Sequence, residues 1–338
     1  VPVGPCADRD GPVRWEEPAS RMLRYVLTRF TTMVLVLLVV SVALFSLSHA
    51  APGGPLASLV PPELLGDSGP LIEAKTKEFG LDRPLPVQYL AWVSHIAVGD
   101  LGTSFQYNRS VASLMAERIV PTLELMGLGL LIGNLFALLF GMIQASRKGS
   151  VADYGLGTVS LVLMSTPAFF LGMVAIYVFS ARLTVLPSSQ MSTPGDGSAV
   201  DLARHLVLPV LVLAVVQCAV MTRYVRVGLL EELSGDYVRT ALAQGATRRQ
   251  ARRKALRNTL GPLVTVVMIS VPTLLGGAVV LEAVFSWPGM GSLVLAAIDF
   301  RDYPIILAFG MVVALLVVLS NFVADLLLSV LDPRVRLQ

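Results

Sequence analysis

Charged side chains are scarce in this chain, since Asp, Glu, Lys and Arg make up only 14% of its 338 residues. A soluble domain carries roughly 25% charge, so the composition excludes a water-soluble globule. Apolar residues account for 54% of the sequence, and the mean hydropathy is +0.72. Six uncharged runs, each of about 18 residues or more, occupy 30–62, 125–146, 154–181, 205–222, 258–281 and 303–324.

These runs predict an all-α membrane protein with six transmembrane helices. About 20 apolar residues cross the hydrocarbon core, where the backbone must satisfy its own hydrogen bonds. With the N-terminus inside, the inner segments carry 18 Lys and Arg residues and the outer segments carry 8. Positive charge collects on the cytoplasmic side of membrane proteins, so both termini are predicted to be cytoplasmic. The net charge of +3 is explained by the bilayer, and nucleic acid is not expected as a partner.

The residues of several chemistries are also missing. The two cysteines cannot build a disulfide framework, and the sequence contains no phosphate-binding Gly-x-x-x-x-Gly-Lys-Ser/Thr loop, His-Glu-x-x-His pair or Gly-x-Ser-x-Gly elbow. No ionisable residue lies near the middle of a predicted span, whereas ion-coupled carriers usually keep such residues at depth. We therefore expect no catalytic residue, metal or cofactor in this chain. Uphill transport would need energy from a partner.

The remaining segments predict the organisation of the chain. Residues 1–21 are polar and rich in Pro and Gly, without a signal-peptide cleavage pattern, and are predicted to be a disordered extension. The outer cap contains two short helical patterns, 70–79 and 86–98, although it could also be a simple spacer. The predicted divisions are a first transmembrane helix at 22–49, the extracytoplasmic cap at 50–120, a five-helix core at 121–330 and a cytoplasmic tail at 331–338.

Two features of the predicted spans concern packing and shape. Small residues recur every fourth position at Gly129, Gly133, Ala137 and Gly141, which predicts a close helix-packing face. The sequence Ser165-Thr166-Pro167 interrupts the third span, because proline removes a backbone donor. Such a break could line a transport pathway or serve shape alone.

The inner segment at 228–261 predicts two helices separated by a glycine corner. Asp236 is expected to cap a helix that ends at Gly245, and Thr247 with Gln250 forms a capping-box pattern for the next. Tyr237, Ala241 and Gly245 are four residues apart and are predicted to share the face offered to a partner. The basic stretch at 248–254 is more simply explained by attraction to anionic lipid.

These residues carry a family resemblance. Arg239-Thr240-Ala241, Gly245, Ala255-Leu256-Arg257-Asn258 and Pro262 together resemble the cytoplasmic signature loop of permease subunits of ATP-binding-cassette importers, with Arg239-Thr240 in place of the usual Glu-Ala. Further motifs resemble the dipeptide, oligopeptide and nickel branch: Phe79-Gly80-Leu81-Asp82-Arg83-Pro84, Gly99-Asp100-Leu101-Gly102-Thr103-Ser104, Glu282-Ala283-Val284-Phe285-Ser286-Trp287-Pro288-Gly289-Met290-Gly291, Asp302-Tyr303-Pro304 and Asp332-Pro333-Arg334-Val335-Arg336.

The resemblance covers residues 22–338 and implies a type I importer permease that forms half of a translocation pathway. It implies a second homologous permease, two ATPase subunits or one fused ATPase chain, an extracytoplasmic solute-binding protein and membrane lipid as partners. ATP and Mg would be bound by the ATPases and no cofactor by this chain. The solute would be a dipeptide or oligopeptide, or alternatively a nickel chelate, haem or glutathione. A self-sufficient channel, a secondary carrier and a scaffold or sensor are the rival classes.

Two groups of site residues follow. The helix that couples to the ATPases would use Tyr237, Arg239, Thr240, Ala241, Gln244 and Gly245. The candidate pathway or gate comprises Ser165, Thr166, Pro167, Ser270, Pro272, Gly276, Gly277 and Trp287. The uncharged segment at 283–298 is too short to span, so we expect it to fold back against the bundle with Trp287 anchored near the membrane interface. A buried loop that only packs is the alternative.

Overall fold

The computed structural model describes residues 18–50 and 82–331, and these residues form helices connected by turns. The helices are α1 (Pro18–Ala50), α2 (Leu85–Ala97), α3 (Val111–Ser146), α4 (Val151–Ser165), α5 (Ala168–Ala175), α6 (Ala199–Ser234), α7 (Asp236–Ala243), α8 (Arg248–Val284), α9 (Met290–Asp299) and α10 (Tyr303–Leu331). The expected helix at 70–79, most of the N-terminal extension and nearly all of the C-terminal tail lie outside the described residues.

Five of these helices are long and apolar enough to cross a membrane: α1, α3, α6, α8 and α10. The α4–α5 pair supplies a sixth span when it is counted as one helix bent by 102°. The six predicted spans are confirmed on that count. Because α7 precedes α8 and α9 follows it, the two short helices mark opposite ends of the bundle, called here the α7 end and the α9 end.

Several helices are longer than the uncharged runs that predicted them. Helices α3 and α6 each have 36 residues and α8 has 37, a length of about 54 Å against a hydrocarbon core of about 30 Å. Helix α3 begins at Val111, ten residues before the predicted start of the core, and α1 begins at Pro18 instead of residue 22. Charged residues such as Glu124 end an uncharged run without ending a helix, because helical turns beyond the membrane remain hydrogen-bonded.

The predicted small-residue face of α3 packs against α6. A Cβ on Gly133 would lie 2.8 Å from the Ala214 carbonyl oxygen, and one on Gly129 would lie 2.7 Å from Leu213 Cδ2. The stripe continues through fully buried Ala137 to Gly141, where a Cβ would overlap Val225. Close approach of the two backbones therefore holds α3 and α6 together, as the sequence predicted.

The predicted interruption of the third span is also present. Helix α4 ends at Ser165, and α5 begins after Pro167 in a different direction. The hydroxyl groups of Ser165 and Thr166 donate to the carbonyl oxygens of Leu161 and Val162, at 3.0 and 2.8 Å. The two side chains thus supply donors to carbonyls in the last turn of α4. The Thr166 amide donates to the Leu163 carbonyl, which the missing amide of Pro167 cannot serve. After α5 the chain continues through π-helical turns, Ile176–Arg182.

At the α9 end, short segments cover the ends of the long helices. Helix α2 packs on α1 through aromatic contacts of Tyr89 and Trp92 with Phe45, and the His49 and Gln88 side chains lie 3.1 Å apart. Helix α9 folds back against α8 and α10, as we expected for the segment at 283–298.

Candidate functional site

Helix α7 is a separate short helix held between two membrane-spanning helices. Its first residue is Asp236, whose side chain makes no capping hydrogen bond, and the N-cap position is occupied by Gly235 in an extended conformation. The expectation that Asp236 caps this helix is therefore wrong. The carboxylate lies instead in the first turn, where its charge favours the positive end of the helix dipole, 3.7 Å from the Arg239 guanidinium.

The other end of α7 is closed as the sequence predicted. Gly245 has a φ of +91°, a value that side chains disfavour. The Ala246 amide donates to the Ala241 carbonyl and the Gly245 amide to the Leu242 carbonyl, both at 3.0 Å, which is the Schellman pattern of a helix C-terminus. Helix α8 then begins with the predicted capping box of Thr247 and Gln250.

The faces of α7 differ from the prediction. Val238 is buried, and Tyr237 is turned back toward the bundle, donating from its hydroxyl to Glu232 of α6 at 2.6 Å. Burial and the neighbouring Glu232 carboxylate raise the pKa of Tyr237 to about 12, so the phenol is neutral at pH 7. Lys254 of α8 lies 5.5 Å from the centre of the Tyr237 ring. Ala241 is half-buried, whereas Gly245 is exposed.

The exposed surface of α7 consists of other residues of the predicted set together with their neighbours. These are Asp236, Arg239, Thr240, Leu242, Ala243 and Gln244. Tyr237 faces the bundle because the Glu232 carboxylate accepts from its hydroxyl and also from Asn258 of α8, at 3.2 Å. Helix α7 is thus attached to α6 and α8 at once.

A second attachment at the α7 end joins α4 to α6. The Arg226 guanidinium contacts both oxygens of Asp153, at 2.7 and 2.9 Å. Gln144 of α3 donates to the Asp153 carbonyl oxygen at 3.1 Å. A bidentate pair of this kind fixes orientation as well as distance. Three helices are therefore held in register beside α7.

The predicted pathway residues of α8 are divided between two surfaces. Gly276 is exposed, on a stripe with Ile269, Thr273 and Val280, and no heavy atom lies within 4 Å of a Cβ placed on it. Ser270 is half-buried and accepts a hydrogen bond from Gln217 of α6 at 3.1 Å, so its hydroxyl joins two helices.

The other predicted α8 residues face partly inward. Pro272 and Gly277 are half-buried, and a Cβ on Gly277 would be 3.6 Å from Leu213 Cδ1. The exposed stripe of Ile269, Thr273, Gly276 and Val280 carries no charge, so it is the surface of α8 on which a solute or a second chain could pack.

Trp287 lies in the core at the α9 end. Its side chain is fully buried, and the indole N–H donates to the Pro121 carbonyl oxygen of α3 at 2.9 Å. We expected an anchor near the membrane interface; the structure instead surrounds the ring with protein, because Phe285, Leu125 and other buried residues enclose it. Its contact with α3 joins the α8–α9 turn to a neighbouring span.

Sequence reasoning missed a buried carboxylate beside Trp287. Glu282 accepts from the Thr122 hydroxyl at 2.6 Å and from the Ser292 amide at 3.0 Å, and Thr122 in turn accepts from the Met290 amide at 2.8 Å. A Cβ on Gly289 would overlap the Glu282 carboxylate. The available signal was the motif at 282–291, in which one acid precedes two closely spaced glycines.

A second missed contact joins two other motifs. The buried Asp302 carboxylate accepts from the Ser104 hydroxyl at 2.5 Å and from the Gln106 amide at 3.1 Å. Gly99 and Gly102, with φ of +83° and +80°, shape the loop that places Ser104 there. The segment preceding α3 is therefore fixed to the start of α10.

Two family models match the sequence of this chain. A sequence model of the binding-protein-dependent transport system inner membrane component matches residues 137–337, and a model of the N-terminal part of such membrane components matches residues 22–126. The chain belongs to this family. It is a multi-pass permease component of the bacterial inner membrane.

Curated relatives cover almost the whole chain. A candidate peptide permease of Brucella suis is 41% identical over 318 residues, which is 93% of this chain and 99% of the relative. The oligopeptide transport system permease of Bacillus subtilis is 35% identical and covers 93% of this chain and 100% of the relative. The glutathione transport system permease of Salmonella typhi is also 35% identical, with coverage of 93% and 99%.

Among solved structures, a chain of the inward-facing MetNI methionine ABC transporter is similar with a TM-score of 0.51 and 19% identity. The similarity covers 65% of this chain and 96% of that chain. At this identity the likeness shows the fold alone, which is that of a type I importer permease. The resemblance expected from the sequence motifs is confirmed.

Proposed function

We propose that the chain is one permease subunit of an ATP-driven importer of dipeptides or oligopeptides, and that α7 is its coupling helix. One observation carries the proposal: α7 lies between two membrane-spanning helices, is attached to both, and exposes Arg239 and Thr240 on its outer surface. The relatives in Brucella suis and Bacillus subtilis are named as peptide and oligopeptide permeases, which supports the substrate class.

The contacts of α7 suggest how motion would be transmitted. An ATPase that holds the exposed side of α7 would move the Tyr237–Glu232–Asn258 contact, and with it the adjoining ends of α6 and α8. The Asp153–Arg226 pair would carry the same displacement to α4. A rigid rotation of the bundle would follow, because packed helices shift between discrete arrangements and do not deform continuously. ATP and Mg belong to the ATPase partners in this scheme.

The pathway would run along the exposed stripe of α8, where Thr273 and Gly276 offer little side-chain bulk. A second homologous permease would supply the facing wall. We assign the shape of the pathway to the break at Ser165, Thr166 and Pro167. We assign its outer closure to the buried turn at Trp287. An extracytoplasmic binding protein would select and deliver the solute.

Purification of the full-length chain in mild detergent tests the subunit assignment. We expect recovery with ATPase subunits, or one fused ATPase chain, and with a related permease. Recovery alone as a homo-oligomer would favour a self-sufficient channel and contradict the importer. Mass spectrometry of the cargo on the cognate binding protein tests the solute: short peptides are expected, whereas a nickel chelate, haem or glutathione would overturn the peptide assignment but leave the importer intact.

Thiol labelling tests the orientation. In intact cells, a cysteine replacing Gly195 should react with an impermeant reagent, and one replacing Gln250 should react only after permeabilisation. Labelling of position 250 from outside would reverse the topology and place α7 on the wrong side of the membrane for an ATPase.

A further inference from the structure

A cleft of about 430 Å³ opens at the α7 end, between α8 and the ends of α3 and α6. Its walls combine two kinds of side chain, apolar residues and arginines: Met142, Leu229, Leu256, Arg249, Arg252 and Arg253. The apolar residues belong to the cluster around Ala145 and Ala255, which closes this end of the bundle. The cleft therefore has a hydrocarbon floor and a cationic rim.

The arginines of the rim have no acidic partner within the described part of the chain. None of the ion pairs between residues 27–50 and 82–328 includes Arg249, Arg252 or Arg253. All three are exposed, whereas neighbouring Ala251 and Ala255 are buried. Guanidinium groups present planar forks of N–H donors that match phosphate oxygens. Three of them around one cleft indicate an anionic ligand.

The dimensions of the cleft match a lipid headgroup region. Arg252 and Arg253 precede Leu256 on α8 by four and three residues, which corresponds to about 4.5–6 Å along the helix axis, and Arg249 lies about one turn farther out. The headgroup layer on one side of a bilayer is roughly 5–7 Å thick. Arg252 and Arg253 therefore lie at the depth of phosphate groups when Met142 and Leu256 lie at the start of the hydrocarbon, with Arg249 at the outer edge of the headgroup layer. A free phosphate ion would not require the apolar floor.

The cleft and the α7 surface lie on different sides of α8. Successive residues of an α-helix are rotated by about 100°, so Arg249, Arg252, Arg253 and Leu256 share one side. Lys254 and Asn258, which face α7, lie on roughly the opposite side. An ATPase that occupies α7 can therefore leave the arginines accessible to lipid.

We propose that this cleft is a specific binding site for the headgroup of an anionic phospholipid in the leaflet at the α7 end. The phosphate is held by Arg249, Arg252 and Arg253, and the start of the acyl chains packs on Met142 and Leu256. This site is independent of the transported solute. It differs from the general attraction of a basic segment to anionic lipid, because it binds a defined number of molecules in a defined place.

Native mass spectrometry of the full-length permease, purified in its complex, measures the binding. Phosphatidylglycerol, phosphatidylcholine with the same acyl chains, and inorganic phosphate are titrated separately. We expect one phosphatidylglycerol per cleft to be retained at least about tenfold more tightly than phosphatidylcholine. Equal retention of the two lipids would overturn the proposal. Phosphate that binds as tightly as phosphatidylglycerol would show a free-phosphate site instead.

Two sets of variants locate the site. Replacing Arg249, Arg252 and Arg253 by Gln should weaken phosphatidylglycerol at least about tenfold, whereas the matched loss of Arg147, Arg223 and Arg257 should change it less than about twofold. Equal losses would show diffuse surface attraction.

Ser146, the last residue of α3, also lines the cleft. Ser146→Trp fills the cleft while it keeps every charge, and it should also release the lipid. Retained binding in Ser146→Trp would exclude the cleft even if the arginine variant failed to fold. Loss of the ATPase subunits, with lipid retained, from the variant lacking Arg249, Arg252 and Arg253 would identify a protein-docking surface instead.

Discussion

Gly245 offers the sharpest test of the proposed coupling helix, because its requirement is conformational and not steric. Its φ of +91° lies in the left-handed region, yet no heavy atom lies within 4 Å of a Cβ placed on it. An Ala there is disfavoured by roughly 1–2 kcal/mol through backbone strain alone. That difference lowers, about 5- to 30-fold, the ratio of molecules in which the C-terminal turn of α7 is formed to molecules in which it is open.

Gly195 provides a matched control. Its φ is +89° and it also has open space around it, but it lies before α6, in the loop at the α9 end. In the reconstituted importer we expect Gly245→Ala to reduce substrate-stimulated ATP hydrolysis severalfold and Gly195→Ala to leave it unchanged. Gly245→Asn should restore part of the activity, because asparagine tolerates positive φ better than alanine. Full stimulation in Gly245→Ala, equal losses at both positions, or a larger loss with Asn than with Ala would refute the reasoning.

Three other substitutions have expected outcomes. Gly133→Leu overlaps α6 and should lower the thermal unfolding midpoint of the purified permease by the equivalent of about 1–3 kcal/mol, whereas Gly155→Leu, which meets open space, should not. Thr122→Val removes the hydroxyl donor to Glu282 and should destabilise the permease by about 1–3 kcal/mol in the same assay, with Thr122→Ser close to wild type. Tyr237→Phe keeps the ring but loses the bond to Glu232, so ATPase affinity should fall less than in Tyr237→Ala; equal losses would exclude a role for the ring.

Features governed by local chemistry could be predicted from the sequence. The small-residue stripe through Gly133, the break before Pro167, the capping box at Thr247 and the turn at Gly245 each depend on residues within about two helical turns. Hydrophobic run length likewise predicted the spans. The charge limits of those runs did not predict helix ends, because α3 and α6 continue into water.

Contacts between distant segments could not be predicted in the same way. The buried Trp287 donates a hydrogen bond to the Pro121 carbonyl, and the buried Glu282 carboxylate accepts one from the Thr122 hydroxyl. More than 150 residues separate the members of each pair. Tyr237 faces the bundle because Glu232 and Asn258 meet there, a result of how α6 and α8 converge. The four-residue spacing within α7 defines a face but not which face turns outward.

Cross-linking from α7 tests the central claim most directly. In a variant lacking Cys6 and Cys218, single cysteines are placed at Thr240, on the exposed side of α7, and at Arg252, on the cleft side of α8. A cysteine is also introduced into the ATPase surface expected to hold the exposed side of α7, and the assembled complex is treated with a short bifunctional thiol reagent. The account predicts a cross-link from position 240 whose yield changes when ATP is added, and none from position 252. A cross-link from position 252 with none from 240 would contradict it.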